Sequence, residues 1–592
     1  MGVIKVLPPE VAQKIAAGEV VERPVSVVKE LVENSLDAGA TEIKVELLSG
    51  GKKLIRVLDN GCGMSQEDAV ICFRRHATSK ISTEDDLERI TTLGFRGEAL
   101  ASISAVSKLI LKTFNGEEAK GYQVEREGDK LIRFVEIAFP RGTLIEVQDL
   151  FFNLPARRKF LRSERSELAL IVSYLTQVAL AYPEVKFFLS NNNREIINCP
   201  GVRSLNDRVY QLYGKRVLEN LMPIDYEEGN YKITGLSSRP FSGRADRQHQ
   251  VFYVNRRPVR DRVLTAALTQ AYLGLLEKQK NPEGFLFLEI PYEQVDVNVH
   301  PAKAEVRFRE PQQIFRLILR AVELTARQES LIKPIIVEDK DEGKEVEGET
   351  TVSQPGEPAI EFSARVESES SLFSGNQSEP KSANFENFEI KRIAEEKSEL
   401  ESCQSFQVLG QYLNSYIVAS SEEGLIIIDQ HNAHERILFE KFEKLDQAHS
   451  WTARAMLFPS VLELSPEQRL GLEELQEELE KMGFVLEPMG GNSFALKEYP
   501  DIFKEKEASE ILLSILDEIS SNKFKDKKKR MLATMACKAA IKAGQVLSKT
   551  EMEYLVSELF QTEHPGICPH GRPVVIKIER SKIERTLGRQ PE

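Results

Sequence analysis

The chain has 592 residues and a mass of 67.0 kDa, and 41% of its residues are hydrophobic and 29% charged. A single hydrophobic core stops growing near about 250 to 300 residues, so this length indicates several domains. The absence of an apolar run of about 18 or more residues argues against a membrane-spanning helix, and the N-terminus is charged too early for a secretory signal. Six scattered cysteines fit a reducing compartment rather than a disulfide framework. We therefore expect a cytoplasmic protein.

The net charge of −13 is unevenly distributed along the chain. Residues 1–330 carry 47 basic and 44 acidic side chains, residues 331–405 carry 8 and 18, and residues 406–592 carry 24 and 30. Between Glu338 and Glu401 the acidic middle is rich in Glu, Ser and Gly and has few aromatic residues. Such a segment buries too little apolar surface to offset its loss of conformational entropy. We predict a disordered linker over 333–404.

A helix is predicted just before residue 40, followed by a strand that ends in a glycine-rich turn. At about 100° per residue, apolar side chains form one arc of this helix and polar side chains the opposite face. The arc comprises Val27, Val28, Leu31, Val32 and Leu36, and the polar face Glu30, Glu33, Asn34 and Asp37. The strand Leu54–Leu58 then meets Asp59-Asn60-Gly61-Cys62-Gly63, where glycine lets the backbone approach a ligand. The pattern alone fits either a nucleotide site or a solvated helix face beside an ordinary turn.

Four segments, in this order along the chain, carry a family resemblance. They are 30–40, 59–64, 75–80 (Arg-His-Ala-Thr-Ser-Lys) and 93–100 (Leu-Gly-Phe-Arg-Gly-Glu-Ala-Leu). These segments resemble the ATP-binding motifs of the GHKL superfamily and, in the form found here, those of the MutL family of DNA mismatch repair proteins. The resemblance implies a GHKL-type α/β sandwich ATPase domain over 1–214.

The resemblance also implies roles for individual residues. Glu30 would be the general base that deprotonates the attacking water, and Asn34 would hold Mg²⁺ against the phosphates. Asp59 would accept a hydrogen bond from the adenine amino group. Thr143 resembles a further nucleotide contact, although a small residue at a strand start explains it equally well. The ATP-binding set implied is Asn34, Asp59, Gly63, Lys80, Gly94, Phe95, Arg96, Gly97, Thr143 and Lys303.

A second α/β domain is predicted over 215–332, with strands near 249–255 and 284–290. Its segment 296–306 resembles the family loop whose lysine reaches the γ-phosphate, and this gives Lys303 its implied role. Residue type alone would leave Lys303 as a solvated charge.

Arginines are densest in the same domain. A basic patch binds phosphates without reading base sequence, whereas the alternative is a solvated loop. In the family, the position of Arg262 contacts DNA. The predicted DNA-binding residues are Arg256, Arg257, Arg260 and Arg262.

After the linker, a hairpin through Ser420–Gly424 is predicted to lead into the strand Leu425–Ile428. A helix starting at Asp429 would place His431 and Glu435 one turn apart, which suits a pair of metal ligands but also a polar helix start. This region and the segments 536–544 and 568–573 resemble the endonuclease motifs of nicking MutL proteins.

That resemblance implies metal-assisted hydrolysis of a DNA phosphodiester, with Asp429 and Glu435 as catalytic residues. Mixed ligation suits Zn²⁺ at softer positions and Mn²⁺ at harder ones. Asn432 departs from the family's small alanine, which puts the fine geometry in doubt. From residue type alone, the two cysteines could be free thiols. The implied metal ligands are Asp429, His431, Glu435, Cys537, Cys568 and His570.

The C-terminal domain is predicted over 405–592, with an inserted α+β subdomain at about 455–525 and a helix near 466–482. Within it, Met456–Pro459 resembles a sliding-clamp contact without the leading glutamine. By family analogy, the apolar helices predicted at 509–519 and 530–544 would supply dimerisation surface.

The sequence therefore predicts an α+β multidomain protein of the nicking MutL type. It would be a homodimer with ATPase arms joined by linkers to an α+β dimerisation and endonuclease domain. Its expected partners are DNA, the mismatch-recognition protein MutS and the replication sliding clamp, in the bacterial cytoplasm at the nucleoid. Two alternatives are a non-cutting, ATP-driven matchmaker with a structural metal site and a different GHKL enzyme, which the C-terminal motifs do not fit.

Overall fold

The computed structural model describes residues 20–81, 83, 92–94, 97–244, 246–276, 280–296, 306–331, 406–520, 527–542, 544–587 and 589. The linker predicted over 333–404 lies outside these residues, as do three predicted ATP-site residues, Phe95, Arg96 and Lys303. Among the described residues, every helix is too short or too polar to span a bilayer.

The first unit is built on an eight-stranded mixed sheet with the order β5-β4-β3-β6-β2-β1-β7-β8. Its strands are β1 Glu42–Leu48, β2 Leu54–Asp59, β3 Lys108–Phe114, β4 Gly121–Glu127, β5 Lys130–Ile137, β6 Gly142–Gln148, β7 Lys186–Asn191 and β8 Arg194–Cys199. Its helices are α1 Pro24–Asp37, α2 Gln66–Ile71, α3 Ala99–Ala105, α4 Pro155–Phe160, α5 Glu164–Ala181 and α6 Leu205–Glu219. The strand predicted at Leu54–Leu58 is confirmed by β2.

One face of this sheet is covered by helices. Along β1, buried side chains alternate with more exposed ones, as expected for a strand with one face on a core. The helix α1 begins with Pro24, whose fixed φ suits a first helical turn, and buries Val27, Val28, Leu31 and Val32 as predicted. Glu33 differs from its prediction, because it is only 8% exposed and lies on the core side of the polar face.

The second unit has a five-stranded sheet with the order β12-β11-β13-β10-β9 and a short β14-β15 pair. Its elements are β9 Leu221–Glu228, β10 Tyr231–Ser238, β11 Gln250–Val254, β12 Arg257–Val259, α7 Arg262–Ala271, β13 Gly284–Glu289, β14 Val295–Asp296, β15 Arg307–Phe308 and α8 Pro311–Leu331. The strands β11 and β13 confirm the two predicted there. Side chains of α7 and α8 share one hydrophobic core with the sheet.

The C-terminal part contains two sheets, β16-β17-β18-β22 and β19-β21-β20. Its strands are β16 Gln407–Tyr412, β17 Tyr416–Ser421, β18 Gly424–Asp429, β19 Ala453–Glu463, β20 Val485–Gly490, β21 Ser493–Pro500 and β22 Val575–Glu579. Its helices are α9 Gln430–Gln447, α10 Pro466–Lys481, α11 Glu505–Ser520, α12 Lys527–Ala539, α13 Lys549–Phe560 and α14 Arg580–Thr586. The predicted hairpin, the helix after Asp429 and the helix near 466–482 are confirmed.

The helix predicted over 530–544 ends early, at Ala539. The backbone of Ile541 is instead held by two histidines of α9. His431 Nδ1 lies 2.8 Å from the Ile541 carbonyl oxygen, and His434 Nδ1 accepts the Ile541 N–H at 3.0 Å. These side-chain bonds replace the helical ones that Ile541 would otherwise make.

Candidate nucleotide and metal sites

The polar face of α1 forms one wall of the candidate nucleotide site. Glu30 and Asn34 are half-buried and one turn apart, as the helical spacing predicted. The Lys80 ammonium donates to Asn34 Oδ1 at 2.8 Å and to Asp37 Oδ2 at 2.5 Å. The predicted Mg²⁺ residue Asn34 and the predicted ATP-binding residue Lys80 are therefore in direct contact.

Asp37 also holds a backbone segment of the site. Its carboxylate accepts the N–H of Leu93 at 2.9 Å and that of Gly94 at 3.0 Å. A Cβ at Gly94 would lie 2.9 Å from Lys80 Nζ, so a side chain there would displace the lysine ammonium. Asp37 was on the predicted polar face but not among the predicted site residues. Its position three residues after Asn34 was the signal that could have identified it.

Asp59, at the end of β2, is a buried carboxylate. Its Oδ2 accepts the Ser35 hydroxyl at 2.9 Å, and its Oδ1 accepts the Gly61 N–H at 2.9 Å. Burial raises the pKa of the Asp59 carboxyl, and hydrogen bonds from Gly61, Ser35 and Thr143 oppose the shift only in part. Thr143 pairs with Asp59 across β2 and β6, which places both residues at one end of the sheet.

Two further predicted residues are glycines whose backbones closely approach neighbouring carbonyls. Gly63 has φ +70°, and a Cβ there would lie 2.1 Å from the Phe114 carbonyl oxygen. Gly97 has φ +63°, and a Cβ there would lie 2.6 Å from the Ala77 carbonyl oxygen. Neither position admits a side chain without a backbone shift, because both combine left-handed backbone with close contact.

The four predicted DNA-binding arginines divide into two environments. Arg256, Arg260 and Arg262 are exposed, and Arg256 pairs with Glu184 at 2.8 Å. Arg257 is buried, and its Nη2 donates to the carbonyl oxygens of Thr92, at 2.9 Å, and Leu93, at 3.4 Å.

A large cleft adjoins the exposed arginines. It has a volume of about 1340 Å³, and its walls come from the first unit, the second unit and the C-terminal part. Its cationic lining residues are Arg162, Arg165, Arg244, Arg247, Arg260, Arg262 and Lys527. Acidic side chains neutralise part of this charge, as where Arg244 lies 3.0 Å from Asp517.

The candidate metal centre joins α9 to the turn before β22. The ligand atoms of Glu435, Cys568 and His570 all lie within 4.8 Å of one another. Glu435 Oε1 is 2.7 Å from His570 Nδ1, and the Cys537 thiol hydrogen-bonds to the same carboxylate. The turn that presents Cys568 and His570 is closed by a hydrogen bond from the Cys568 N–H to the Arg572 carbonyl at 2.9 Å.

Burial and hydrogen bonds both shift the pKa values in this cluster. Hydrogen bonds with Cys568 and Glu435 raise the pKa of His570 to about 9. Burial raises the pKa of Glu435, but hydrogen bonds from His570 and the two thiols outweigh it and lower that pKa. Burial and the Glu435 charge raise the pKa of Cys537 to about 12. A cation that displaced these protons would meet sulfur, nitrogen and oxygen donors, a set that suits Zn²⁺.

The remaining predicted ligands have other contacts. Asp429 caps the N-terminus of α9 by accepting the Asn432 N–H at 2.9 Å, and His431 binds the Ile541 backbone. Half-buried His434, which was not among the predicted ligands, has its pKa lowered to about 4 by burial and by the charge of His431. Asn432 is also buried and lies 3.4 Å from the Pro573 carbonyl oxygen. The departure from alanine is thus accommodated by a polar contact next to the metal turn.

The predicted sliding-clamp segment lies in β19. Leu457 is 83% exposed and Phe458 is 78% exposed, whereas Met456 is buried. The pairing of β19 with β21 is interrupted between Ala455 and Ser460, so these residues project from an irregular stretch of strand. Two adjacent exposed large apolar side chains form a candidate contact surface.

Three family models match the chain. "Histidine kinase-, DNA gyrase B-, and HSP90-like ATPase" matches residues 22–137, "DNA mismatch repair protein, C-terminal domain" matches 209–326, and "MutL C terminal dimerisation domain" matches 409–547. These matches confirm the predicted GHKL-type ATPase fold and the C-terminal dimerisation fold. The exact domain bounds stay predictions.

Whole proteins also match. The chain is 39% identical to the DNA mismatch repair protein MutL of Koribacter versatilis, with 100% of each chain covered. It is 40% identical to that of Syntrophotalea carbinolica, with 99% of each covered. Among solved structures, the Aquifex aeolicus MutL ATPase domain complexed with ADP is 30% identical and covers 50% of this chain and 98% of its own, with a TM-score of 0.36.

Proposed function

Because the chain belongs to the MutL family of DNA mismatch repair proteins, we propose that it is an ATP-driven homodimeric DNA clamp with a metal-dependent nicking endonuclease. Its ATPase and dimerisation domains come with the family. We propose in addition the roles of individual residues, the DNA contact, the endonuclease activity, the bound metals and the partnership with MutS. It would act in the bacterial cytoplasm, on nucleoid DNA.

The contact among Asn34, Asp37 and Lys80 carries the ATPase part of the proposal. Glu30, on the same helix face, would orient and deprotonate the attacking water. Asn34 would hold Mg²⁺, which supplies charge neutralisation at the phosphates, and Lys80 would bind phosphate oxygens. Asp59 would accept a hydrogen bond from the adenine amino group, because Ser35 and Gly61 hold its carboxylate in place. Phe95, Arg96 and Lys303 complete the proposed set.

Duplex DNA would bind through the exposed arginines of the second unit. Arg260 and Arg262 line the same cleft as four other arginines, which favours a polyanion over a small ligand. Contacts of this kind go to phosphates, so they bind DNA without base specificity. Affinity should therefore fall steeply with salt, and Arg260→Gln with Arg262→Gln should flatten that salt dependence.

The cluster of Glu435, Cys568 and His570 carries the endonuclease part. The donors fit a zinc ion, since sulfur, imidazole and carboxylate converge and the sulfur and carboxylate are buried. Asp429 immediately precedes α9, the helix that carries Glu435. Its carboxylate would help to hold Mn²⁺, which prefers harder oxygen ligands than Zn²⁺ does. Bound metal would activate water and neutralise the scissile phosphate. Glu435, which lies on α9, would bind the metal and fix its position relative to the helix.

One observation favours the second candidate, a non-cutting matchmaker. Asp429 already caps α9, so its carboxylate has a structural task. With Cys537 as a fourth donor beside the converging three, the cluster would also resemble a closed, four-coordinate structural metal site. In that case the cluster would hold the turn before β22 against α9 without cutting DNA.

Nicking of supercoiled plasmid with Mn²⁺ distinguishes the two. Asp429→Asn is a clean variant, because asparagine is as good an N-cap as aspartate but a poorer metal ligand. If the chain is an endonuclease, we expect the intact protein to nick the plasmid and the equally stable Asp429→Asn variant not to nick it. No nicking by the intact protein would leave the matchmaker, and equal nicking by both proteins would remove Asp429 from the endonuclease site.

A further inference from the structure

Arg257 is placed by a rigid hairpin of the second unit. The turn between β11 and β12 contains Asn255 and Arg256, with φ of 49° and 64°. Two consecutive left-handed residues are typical of a tight hairpin turn, which fixes the direction of the following side chain. The Asn255 amide also bonds the Ile290 N–H and carbonyl, both at 3.0 Å, and so ties the turn to the end of β13.

The guanidinium of Arg257 crosses from this hairpin to the first unit. It donates to the carbonyl oxygens of Thr92 and Leu93, and the residue is only 8% exposed. Its Nη1 is buried and makes no hydrogen bond within the described part of the chain. Burying a guanidinium with incomplete pairing is costly, so its position calls for a specific reason.

The segment that Arg257 holds is the one that binds Asp37. The Leu93 and Gly94 amides donate to the Asp37 carboxylate, which contacts Lys80, and Lys80 in turn donates to Asn34. A continuous series of hydrogen bonds thus joins the second unit to the proposed Mg²⁺ and phosphate residues. Networks of this kind fix side-chain positions more strongly than isolated pairs do.

We propose that Arg257 is a positioning residue of the ATPase site, through which the second unit fixes Thr92–Gly94 and hence Asp37, Lys80 and Asn34. The inference rests on the proposed nucleotide site and extends it to a residue whose neighbours, Arg256 and Arg260, face the proposed DNA surface. Displacement of the β11–β12 hairpin would then alter nucleotide binding in the first unit. The position of the second unit and the nucleotide affinity of the first unit would thus be coupled through this contact.

Steady-state ATP hydrolysis tests the assignment. We compare Arg257→Gln and Arg257→Lys with Arg320→Gln, a matched control that removes an exposed second-unit guanidinium paired with Glu228 at 3.1 Å. Loss of charged hydrogen bonds should raise the KM for ATP about tenfold and lower kcat several-fold in Arg257→Gln. Arg257→Lys should recover part of both, because an ammonium can still bind one carbonyl, and the control should match the intact protein.

Amide hydrogen exchange provides a readout without nucleotide. The amides of Leu93 and Gly94 should exchange faster in Arg257→Gln, while those of β2 and α1 stay protected. An unchanged KM, kcat and exchange rate in a folded Arg257→Gln protein would overturn the proposal. If the intact protein hydrolysed no ATP, the proposed function would fail, yet the exchange result would still decide whether Arg257 positions the segment.

Discussion

The nucleotide site and the metal cluster are assembled from the chain in different ways. At the nucleotide site, one helix face contributes Glu30, Asn34 and Asp37, and a backbone segment is hydrogen-bonded to this face through Asp37. At the metal cluster, Glu435 on α9 meets Cys568 and His570, which lie in a turn more than a hundred residues later. We therefore expect the loss of a peripheral contact at the nucleotide site to cost less than the loss of one of the few donors at the metal cluster.

The largest effect is expected at the general base of the helix-borne site. Glu30→Gln should lower the kcat for ATP hydrolysis by about 10²- to 10⁴-fold, because the variant cannot accept the proton of the attacking water. Nucleotide binding should change little, since α1 keeps its packing and its other polar residues. Hydrolysis and fluorescent-nucleotide titration, run on the same preparation, check both halves. Loss of binding together with hydrolysis would contradict the assigned role.

At the metal cluster, the loss of a single ligand should remove most of the affinity for zinc. Glu435→Gln should weaken zinc binding by at least about 100-fold, because one of three converging donors loses its charge. Asp429→Asn should leave zinc binding nearly intact, because the Asp429 carboxylate accepts the Asn432 N–H at the N-terminus of α9. Competition with a chromogenic chelator measures both. Equal losses in the two variants would show that Asp429 belongs to the tightly bound cluster.

Proton competition sharpens the contrast further. With the pKa of His570 raised to about 9, the imidazole carries a proton at neutral pH that a metal must displace. Zinc affinity should therefore rise about tenfold or more for each pH unit between the ordinary histidine range and pH 9. Chelator titrations across that range measure the slope. His570→Gln should bind more weakly with a shallower slope, and an unchanged slope would remove His570 from the ligand set.

The smallest effect is expected at the adenine end. Ser35→Ala removes one hydrogen bond to Asp59 while the Gly61 N–H bond remains. Such a loss costs about 1 kcal/mol, or roughly a fivefold weaker affinity for ATP. Isothermal titration with a non-hydrolysable analogue can resolve it. A drop of a hundredfold would mean that Ser35 touches the nucleotide itself.

Contiguous patterns allowed much of this structure to be predicted. The arc of Val27, Leu31 and Val32 located α1, and the run ending at Asp59 located β2, because local periodicity dictates both. Glu33 was misplaced because a helix face has a margin where tertiary packing decides burial. The early end of α12 followed from histidine contacts to Ile541, which no local pattern encodes.

Local pattern identified site residues only where one element carries them, whereas the family resemblance was needed to connect the distant segments of the metal cluster. Arg257 and Arg256 are adjacent in sequence and alike in type, yet one is buried against Thr92 and the other pairs with Glu184. The difference arises because successive residues leave a hairpin in opposite directions. His431 and Asp429 likewise matched a ligand pattern, but the structure gives both a backbone partner. Their place at the metal stays a prediction.

The most direct test of two independent chemistries in one chain is a parallel assay of ATP hydrolysis and Mn²⁺-dependent plasmid nicking. It compares the intact protein with Glu30→Gln and Asp429→Asn. We predict that Glu30→Gln loses hydrolysis and keeps nicking in the absence of ATP, whereas Asp429→Asn keeps hydrolysis and loses nicking. Loss of both activities in either variant, or nicking that persists in Asp429→Asn, would contradict the assignment of separate sites.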